Sequence, residues 1–345
     1  MTQGAQRFDI IGGAAIRAIL AENRPKILEL VRNAYSTHHA GGTINPDSYF
    51  LRFPDQPSAR IIALPARLRD GSDIAGIKWI SSFPDNRDMA LPRASAVIVL
   101  NDMKTGFPYA CLEGSHISAA RTAASAALAA ELLHSTKQAE RVAVIGAGPI
   151  AAAVVDFLLG SGWSVGHFRV HDLVGDRARL FCERLRARGV NADPAASAEN
   201  AIAGADLVLF ATTAAKPHLA DPTLFTPRQT VLHVSLRDLA VDVILSAQNV
   251  VDDVEHCLKA QTSVHLAEQA TGARKFVDGT IGDLISGRLR PDPQRVRIFS
   301  PFGLGVLDIA VAHFVYQQAA ASGRAATIDD FFVTAEAPDP TMSRC

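Results

Sequence analysis

Val142-Ala143-Val144-Ile145-Gly146-Ala147-Gly148-Pro149-Ile150-Ala151 decides the fold. A four-residue apolar run, rich in β-branched side chains, feeds into G-x-G-x-x-A. An Ala-rich apolar run follows to Leu159. The pattern reads as strand, tight glycine turn and helix, which sets backbone N–H groups and a helix N-terminus against a dinucleotide pyrophosphate. Gly146 permits the sharp turn, Gly148 leaves room for the phosphates, and Ala151 lets helix and strand pack closely. Pro149 and Ile150 open the helix. The competing reading is an ordinary βα turn that uses two glycines.

Phe168-Arg169-Val170-His171 reads as the second strand and ends at Asp172. A carboxylate there accepts hydrogen bonds from the ribose hydroxyls and repels a 2′-phosphate, so NAD is expected rather than NADP. Asp172 lies 26 residues after Gly146, longer than the usual spacing of about 20. Gly160-Ser161-Gly162 supplies the extra loop. Asp172 could instead cap a helix.

From Arg141 onward, strands alternate with helical stretches. The strand candidates are 142–145, 168–171, 207–211, 231–234, 250–251 and 296–299, and Asp176–Arg188 is one of the helices. That predicts an α/β fold with a Rossmann-type doubly wound parallel sheet over residues 136–308. The segment before it carries a helical pattern over Arg24–His39. Short strand patterns follow at 48–53, 61–64, 74–80 and 96–100, with turns at Pro, Asp, Asn and Gly. Residues 1–135, joined by a final apolar helix over 305–320, are expected to form an α+β substrate-binding and dimerisation domain with residues 309–345. Ser118 is expected to open an Ala-rich linking helix to Leu133. The tail from Pro338 is polar and expected to be loose.

Composition narrows the function. The 345 residues suit about two domains. A net charge of −1 gives no electrostatic footprint for nucleic acid or a membrane surface. Asp9 and Arg17 interrupt the apolar stretch near the N-terminus, and no run approaches a membrane span, so a cytoplasmic protein is expected. Cys111, Cys182, Cys257 and Cys345 are scattered without metal-ligand spacing. His38-His39, beside a Gly-Gly turn, reads as a solvated helix end. No metal is expected.

Several charged residues stand inside apolar segments. Lys78 shares a strand face with Gly76 and Ile80, and either snorkels to solvent or serves a site. Arg52, in Tyr49-Phe50-Leu51-Arg52-Phe53, has the same two readings. Arg121 falls in the first turn of the helix expected from Ser118, where a cation opposes the dipole and calls for an anion. Asp238 follows the strand 231–234, at the carboxyl edge that faces the ligand crevice. It can exchange protons with a substrate or cap a helix. Thr212 occupies the equivalent strand end and is expected to border the cofactor.

Together these segments resemble the ornithine cyclodeaminase/μ-crystallin family over nearly the whole chain. The resemblance rests on Gly76-Ile77-Lys78 with Phe83-Pro84-Asp85-Asn86, on Asn101-Asp102-Met103-Lys104-Thr105-Gly106-Phe107-Pro108, and on Ser118-Ala119-Ala120-Arg121-Thr122. The glycine motif with Asp172, and Gly303-Leu304-Gly305-Val306-Leu307-Asp308, complete it. It implies that Arg52 and Lys78 hold the substrate carboxylate and that Asp238 is the general acid/base, with Lys78 steering charge. It also implies that Arg121 borders substrate and cofactor phosphates, that Val234, Ser235 and Gly305 line the nicotinamide, and that the chain forms a homodimer. The cyclodeaminases carry a small residue where this chain has Arg237.

Ser235-Leu236-Arg237-Asp238-Leu239 and the stretch Asp55–Pro65 are similar to the branch that makes L-2,3-diaminopropionate for siderophore or peptide natural-product biosynthesis. The resemblance then implies NAD-dependent oxidative cleavage of N-(2-amino-2-carboxyethyl)-L-glutamate to L-2,3-diaminopropionate and 2-oxoglutarate, with Arg237 as a further carboxylate ligand. The alternatives are ornithine cyclodeaminase, alanine dehydrogenase or ketimine reductase activity, and a non-catalytic nucleotide-dependent binder.

Overall fold

A computed structural model describes residues 7–332, so the tail from Pro338 lies outside the described residues. Two eight-stranded sheets organise the chain. The first is built from β1 (Phe8–Ile11), β2 (Thr43–Ile44), β3 (Tyr49–Phe53), β4 (Gln56–Arg69), β5 (Asp73–Ser82), β6 (Ala94–Asp102) and β7 (Pro108–Glu113). Helices α1 (Gly13–Glu22) and α2 (Arg24–His39) lie between its first two strands. The strands order β1-β7-β6-β5-β4-β2, with β3 also on β4, and all pairs except β1–β7 are antiparallel. β4 is far longer than the expected 61–64. Pro65 is tolerated inside it because it sits between the stretches paired with β3 and β2, where β4 is an edge.

Antiparallel register fixes the faces of this sheet. Leu64, Ala66, Leu68, Ile74, Ile98 and Leu100 share the inner face with Lys78 and are buried under helices. Trp79, Val97, Ile77 and Val99 share the outer face with Tyr49, Leu51 and Ile10.

α3 (Gly114–Leu133) leads to the second sheet and is buried along most of its length by small side chains. It starts four residues earlier than the sequence pattern implies. The Glu113 carboxylate caps it, accepting from the Ser115 N–H at 2.7 Å and the His116 N–H at 3.2 Å. Arg121 therefore lies in the third turn, and its placement is no conflict with the helix dipole.

The second sheet contains β8 (Gln138–Ile145), β9 (Ser164–His171), β10 (Ala192–Pro194), β11 (Leu207–Phe210), β12 (Thr230–His233), β13 (Gln248–Val251), β14 (Val277–Thr280) and β15 (Arg297–Ser300). All are parallel, in the order β10-β9-β8-β11-β12-β15-β13-β14. The connecting helices are α4 (Pro149–Gly160), α5 (Gly175–Arg186), α6 (Ala198–Ile202), α7 (Val241–Ser246), α8 (Val254–Cys257), α9 (Ser263–Thr271) and α10 (Ile281–Ile285). The strand order reverses between β8 and β11, which opens a crevice at their carboxyl ends. β15, last in sequence, inserts between β12 and β13 and delivers Ser300–Gly303 to the middle of that edge.

α11 (Gly305–Ala321) then returns to the inner face of the first sheet, and β16 (Ala326–Ile328) pairs with β1. Its fit demands glycines. A Cβ at Gly76 would stand 3.0 Å from the Ile309 side chain, and one at Gly305 would stand 3.2 Å from the Leu64 carbonyl oxygen. The His38-His39 pair is not a solvated end. His38 bonds Thr43 Oγ1 at 2.7 Å and Asp253 Oδ2 at 3.1 Å, across to the second sheet, while His39 covers Gly282. No described helix is long and apolar enough to cross a membrane.

Candidate active site

Lys78 does not snorkel. Strand alternation points it at the helices on the inner face of β5, where it is 2% exposed. Its Nζ donates to Asp308 Oδ2 at 2.7 Å and to Ser118 Oγ at 3.1 Å. Asp308 sits in the first turn of α11 and is wholly buried. That helix start is itself held: Asn45 Oδ1 accepts from the Val306 N–H at 3.1 Å. The second oxygen of Asp308 accepts from Arg121 Nε at 3.1 Å. So the anion that Arg121 calls for is Asp308, a residue present in the recognised segment Gly303–Asp308 but given no role by sequence reasoning.

The cluster holds two cations against one carboxylate. Gly303, at φ +98°, makes room for it, since a Cβ there would strike the Arg121 guanidinium. Burial pushes the Lys78 pKa down to about 8, with Asp308 opposing the fall and Arg121 adding to it. A buried lysine poised near neutral pH can accept and return a proton.

The glycine turn sits at the crevice beside the β8–β11 reversal. Gly146 has φ +92°, and a Cβ on it would meet the Ala211 carbonyl oxygen at 2.7 Å, so only glycine fits. Gly148 is the N-cap of α4 and has open space where a Cβ would stand, with no side chain capping the helix. This bare, uncapped helix start fits a pyrophosphate. Asp172 borders it, accepting from the Ala147 N–H at 2.8 Å and the Val174 N–H at 2.9 Å. The residues present fit NAD: Gly146, Gly148, Pro149 and Ile150 at the phosphates and Asp172 at the adenosine ribose. Thr212 lies against Gly146, and Val234 and Ser235 follow β12 at the same edge. Gly305 also serves packing: a Cβ on it would face Leu64, Ala66 and Asn45.

Of the two readings of Asp238, the structure removes the helix cap. The residue caps no helix, because the N-cap of α7 is Ala240. Its carboxylate is 0% exposed and enclosed by donors: Ser235 Oγ at 2.5 Å, the Thr212 hydroxyl, and His218 Nε2 at 3.1 Å. Burial alone would raise its pKa, but these donors, His218 first, hold it well below the carboxylate range. A carboxylate so fixed ties the ends of β11 and β12 together. Its Oδ1 takes Thr212 and His218, and its Oδ2 takes Ser235.

Arg52 stands exposed on the inner face with its guanidinium 5.0 Å from the Phe50 ring centre. Arg237 donates Nη2 to the Ala260 carbonyl at 2.9 Å, while its buried Nε has no partner. Among the described residues no group of three or more His, Cys, Asp or Glu could hold a metal.

A profile described as "Ornithine cyclodeaminase/mu-crystallin family" matches residues 19–323. N-((2S)-2-amino-2-carboxyethyl)-L-glutamate dehydrogenase of Staphylococcus aureus is 28% identical over 85% of this chain and 89% of its own. Alanine dehydrogenase of Archaeoglobus fulgidus is 27% identical over 85% and 89%. The solved archaeal alanine dehydrogenase dimer with bound NAD superposes with a TM-score of 0.84 at 26% identity, covering 94% of this chain and all of that one.

The buried cluster makes a stability prediction. Asp308→Ala leaves Lys78 and Arg121 buried without their anion and costs about 3–5 kcal/mol. Adding Lys78→Met to it recovers a large part of the loss. Urea unfolding of both variants checks this. A single-mutant cost below about 1 kcal/mol would remove the cluster from the centre of the site.

Proposed function

The chain belongs to the ornithine cyclodeaminase/mu-crystallin family, and from that premise we propose that it oxidises the CH–NH group of an amino acid with NAD, using Lys78 as the proton-transfer group. The observation that carries this reading is the buried lysine, poised near pH 8 between Asp308 and Arg121. The finer reading is cleavage of N-(2-amino-2-carboxyethyl)-L-glutamate to L-2,3-diaminopropionate and 2-oxoglutarate. It is supported by arginines on both sides of the crevice, Arg52, Arg121 and Arg237, which suit three carboxylates better than they suit the side-chain ammonium of ornithine. The name of the Staphylococcus aureus relative agrees with it.

The substrate's secondary amine must lose its proton before its carbon can give up a hydride. Neutral Lys78 takes that proton, and Asp308 stabilises the ammonium that results. The glycine turn and Asp172 would hold NAD, which would supply the hydride acceptor for the glutamyl Cα. Water then adds to the C=N carbon. Lys78 returns its proton to the departing nitrogen as the C–N bond breaks and the carbinol hydroxyl loses its proton to solvent, releasing 2,3-diaminopropionate and leaving 2-oxoglutarate. Arg121 holds a carboxylate beside the reacting carbon. Arg52 and Arg237 hold the others, and Asp238 keeps Thr212 and Ser235 in place at the cofactor edge.

We also propose a homodimer through the outer face of the first sheet. Tyr49, Leu51, Trp79, Val97 and Ile10 form one contiguous apolar surface there, each more than a third exposed. A surface of this kind on a soluble fold is a contact waiting for a partner.

NADH formation against carboxyethyl-glutamate, ornithine, alanine and glutamate tests the activity. The first is expected to be preferred and to give one 2-oxoglutarate per NADH. Ornithine converted to proline and ammonia, with carboxyethyl-glutamate ignored, would contradict the finer reading. In the oxidative direction kcat/KM should rise with pH through about 8, because the neutral lysine is the base. Lys78→Met should lose turnover by a factor on the order of 10²–10⁴. A flat profile would deny Lys78 the role. For the dimer, Trp79→Glu with Val97→Glu should sediment as a monomer while the wild-type chain sediments as a dimer; a monomeric wild type would refute the interface.

A further inference from the structure

Beyond Lys78 the inner face of the first sheet carries an arginine row whose middle member, Arg60, the reading above does not use. Arg60 on β4 pairs directly with Arg52 on β3 and, on its other side, with Ser82 on β5. Direct partners in an antiparallel pair project from one face. Lys78 and Ser82 are four residues apart on one strand, so all four side chains share the inner face. The row stands about 13 Å from Lys78 along the strand. Arg93 precedes β6, and its carbonyl accepts from the Phe83 N–H at 2.8 Å, which holds it beside the end of β5.

Nothing described neutralises this row. Arg60 and Arg93 are half-buried, yet neither has a carboxylate partner. Burial lowers the Arg60 pKa first, and the charges that add to the fall are Arg52 and Arg237. For Arg93 burial again leads, followed by Arg60 and Arg87. Arg237 comes from the second sheet, so the cations converge from both sides of the crevice. Ser82, only 7% exposed, points its Oγ from the same row with no partner, and the buried Arg237 Nε is likewise unpaired. Like charges pressed together with orphaned donors cost stability. That cost makes sense where an anion completes the set.

We propose that Arg60, with Ser82 beside it and Arg93 behind it, forms a distal carboxylate subsite that selects substrates carrying a carboxylate remote from the reacting C–N bond. This rests on the dehydrogenase reading for its catalytic meaning. The anion-binding claim stands on the arginine row alone. Arg52 and Arg237 form the near rim of the same subsite, and Arg60 is its centre because the register sets it between Arg52 and Ser82.

Three measurements on full-length protein test it: calorimetry with NADH bound, turnover with NAD⁺, and thermal unfolding without ligand. Tricarballylate, a plain tricarboxylate, is titrated by calorimetry into wild type, Arg60→Gln and Arg60→Lys. Arg60→Gln is expected to weaken it by roughly 10–150-fold, with partial recovery in Arg60→Lys. Turnover of carboxyethyl-glutamate should show the same rise in KM with kcat changed little. The Tm of ligand-free Arg60→Gln should rise, since one of several mutually repelling cations is gone; a purely structural arginine would give a fall. A lower Tm with unchanged tricarballylate affinity and KM overturns the proposal. If wild type oxidises only alanine or ornithine, the substrate reading fails, and tricarballylate affinity still decides the subsite.

Discussion

Lys78, Asp308 and Arg121 come from a strand, a returning helix and a linking helix, and they meet where water does not reach. Three ionisable groups buried together are expensive unless each is paired. Much of the chain's layout serves that pairing. Gly76 and Gly305 let α11 approach the sheet closely enough to place Asp308. Asn45 secures the start of that helix. Gly303 clears space for the Arg121 guanidinium, and Asp252 holds the turn containing it, accepting from the Gly303 N–H at 2.6 Å and the Phe302 N–H at 2.9 Å. The insertion of β15 between β12 and β13 puts that turn beside the dinucleotide edge. One electrostatic constraint therefore links the two sheets and sets the substrate side against the cofactor side.

The same physics separates two acidic residues that look alike in sequence. Asp308 faces two cations and modulates a base. Asp238 faces hydroxyls and an imidazole, and is locked. His233 helps decide this. The Asp238 N–H lies 3.2 Å from His233 Nε2, and His233 Nδ1 lies 3.2 Å from Ser300 Oγ. His233 thus joins β12 to β15 and, with His218 and Ser235, holds the Asp238 carboxylate low. On the proposed reading, proton transfer belongs to the group whose pKa lies near the working range.

The nucleotide half of the fold was legible because glycine spacing, strand hydrophobicity and a strand-end acid are local signals. Gly146, Gly148 and Asp172 stand together as their spacing implies. The long-range parts were not legible. The position of β15 is a matter of strand order, which no local pattern encodes. The early start of α3 hid in Glu113, whose carboxylate caps the helix from a strand end. Asp308 lay in plain view inside an apolar helix, but its meaning depends on Lys78, 230 positions earlier. Arg60 was passed over because its neighbours in sequence are ordinary strand residues; only the register shows it paired with another arginine. The strand-end position of Asp238 is a local signal, while its enclosure by Thr212, Ser235 and His218 appears only in three dimensions.

The central claim is that burial, not the neighbouring carboxylate, sets the proton affinity of Lys78. Its Cε resonance, followed with pH in NAD-loaded protein labelled at lysine and assigned by its loss in Lys78→Met, tests this directly. The account requires a titration midpoint near 8, alone among the lysines. A midpoint at about 10.4, the ordinary lysine value, would contradict it and leave Lys78 a fixed cation rather than the base.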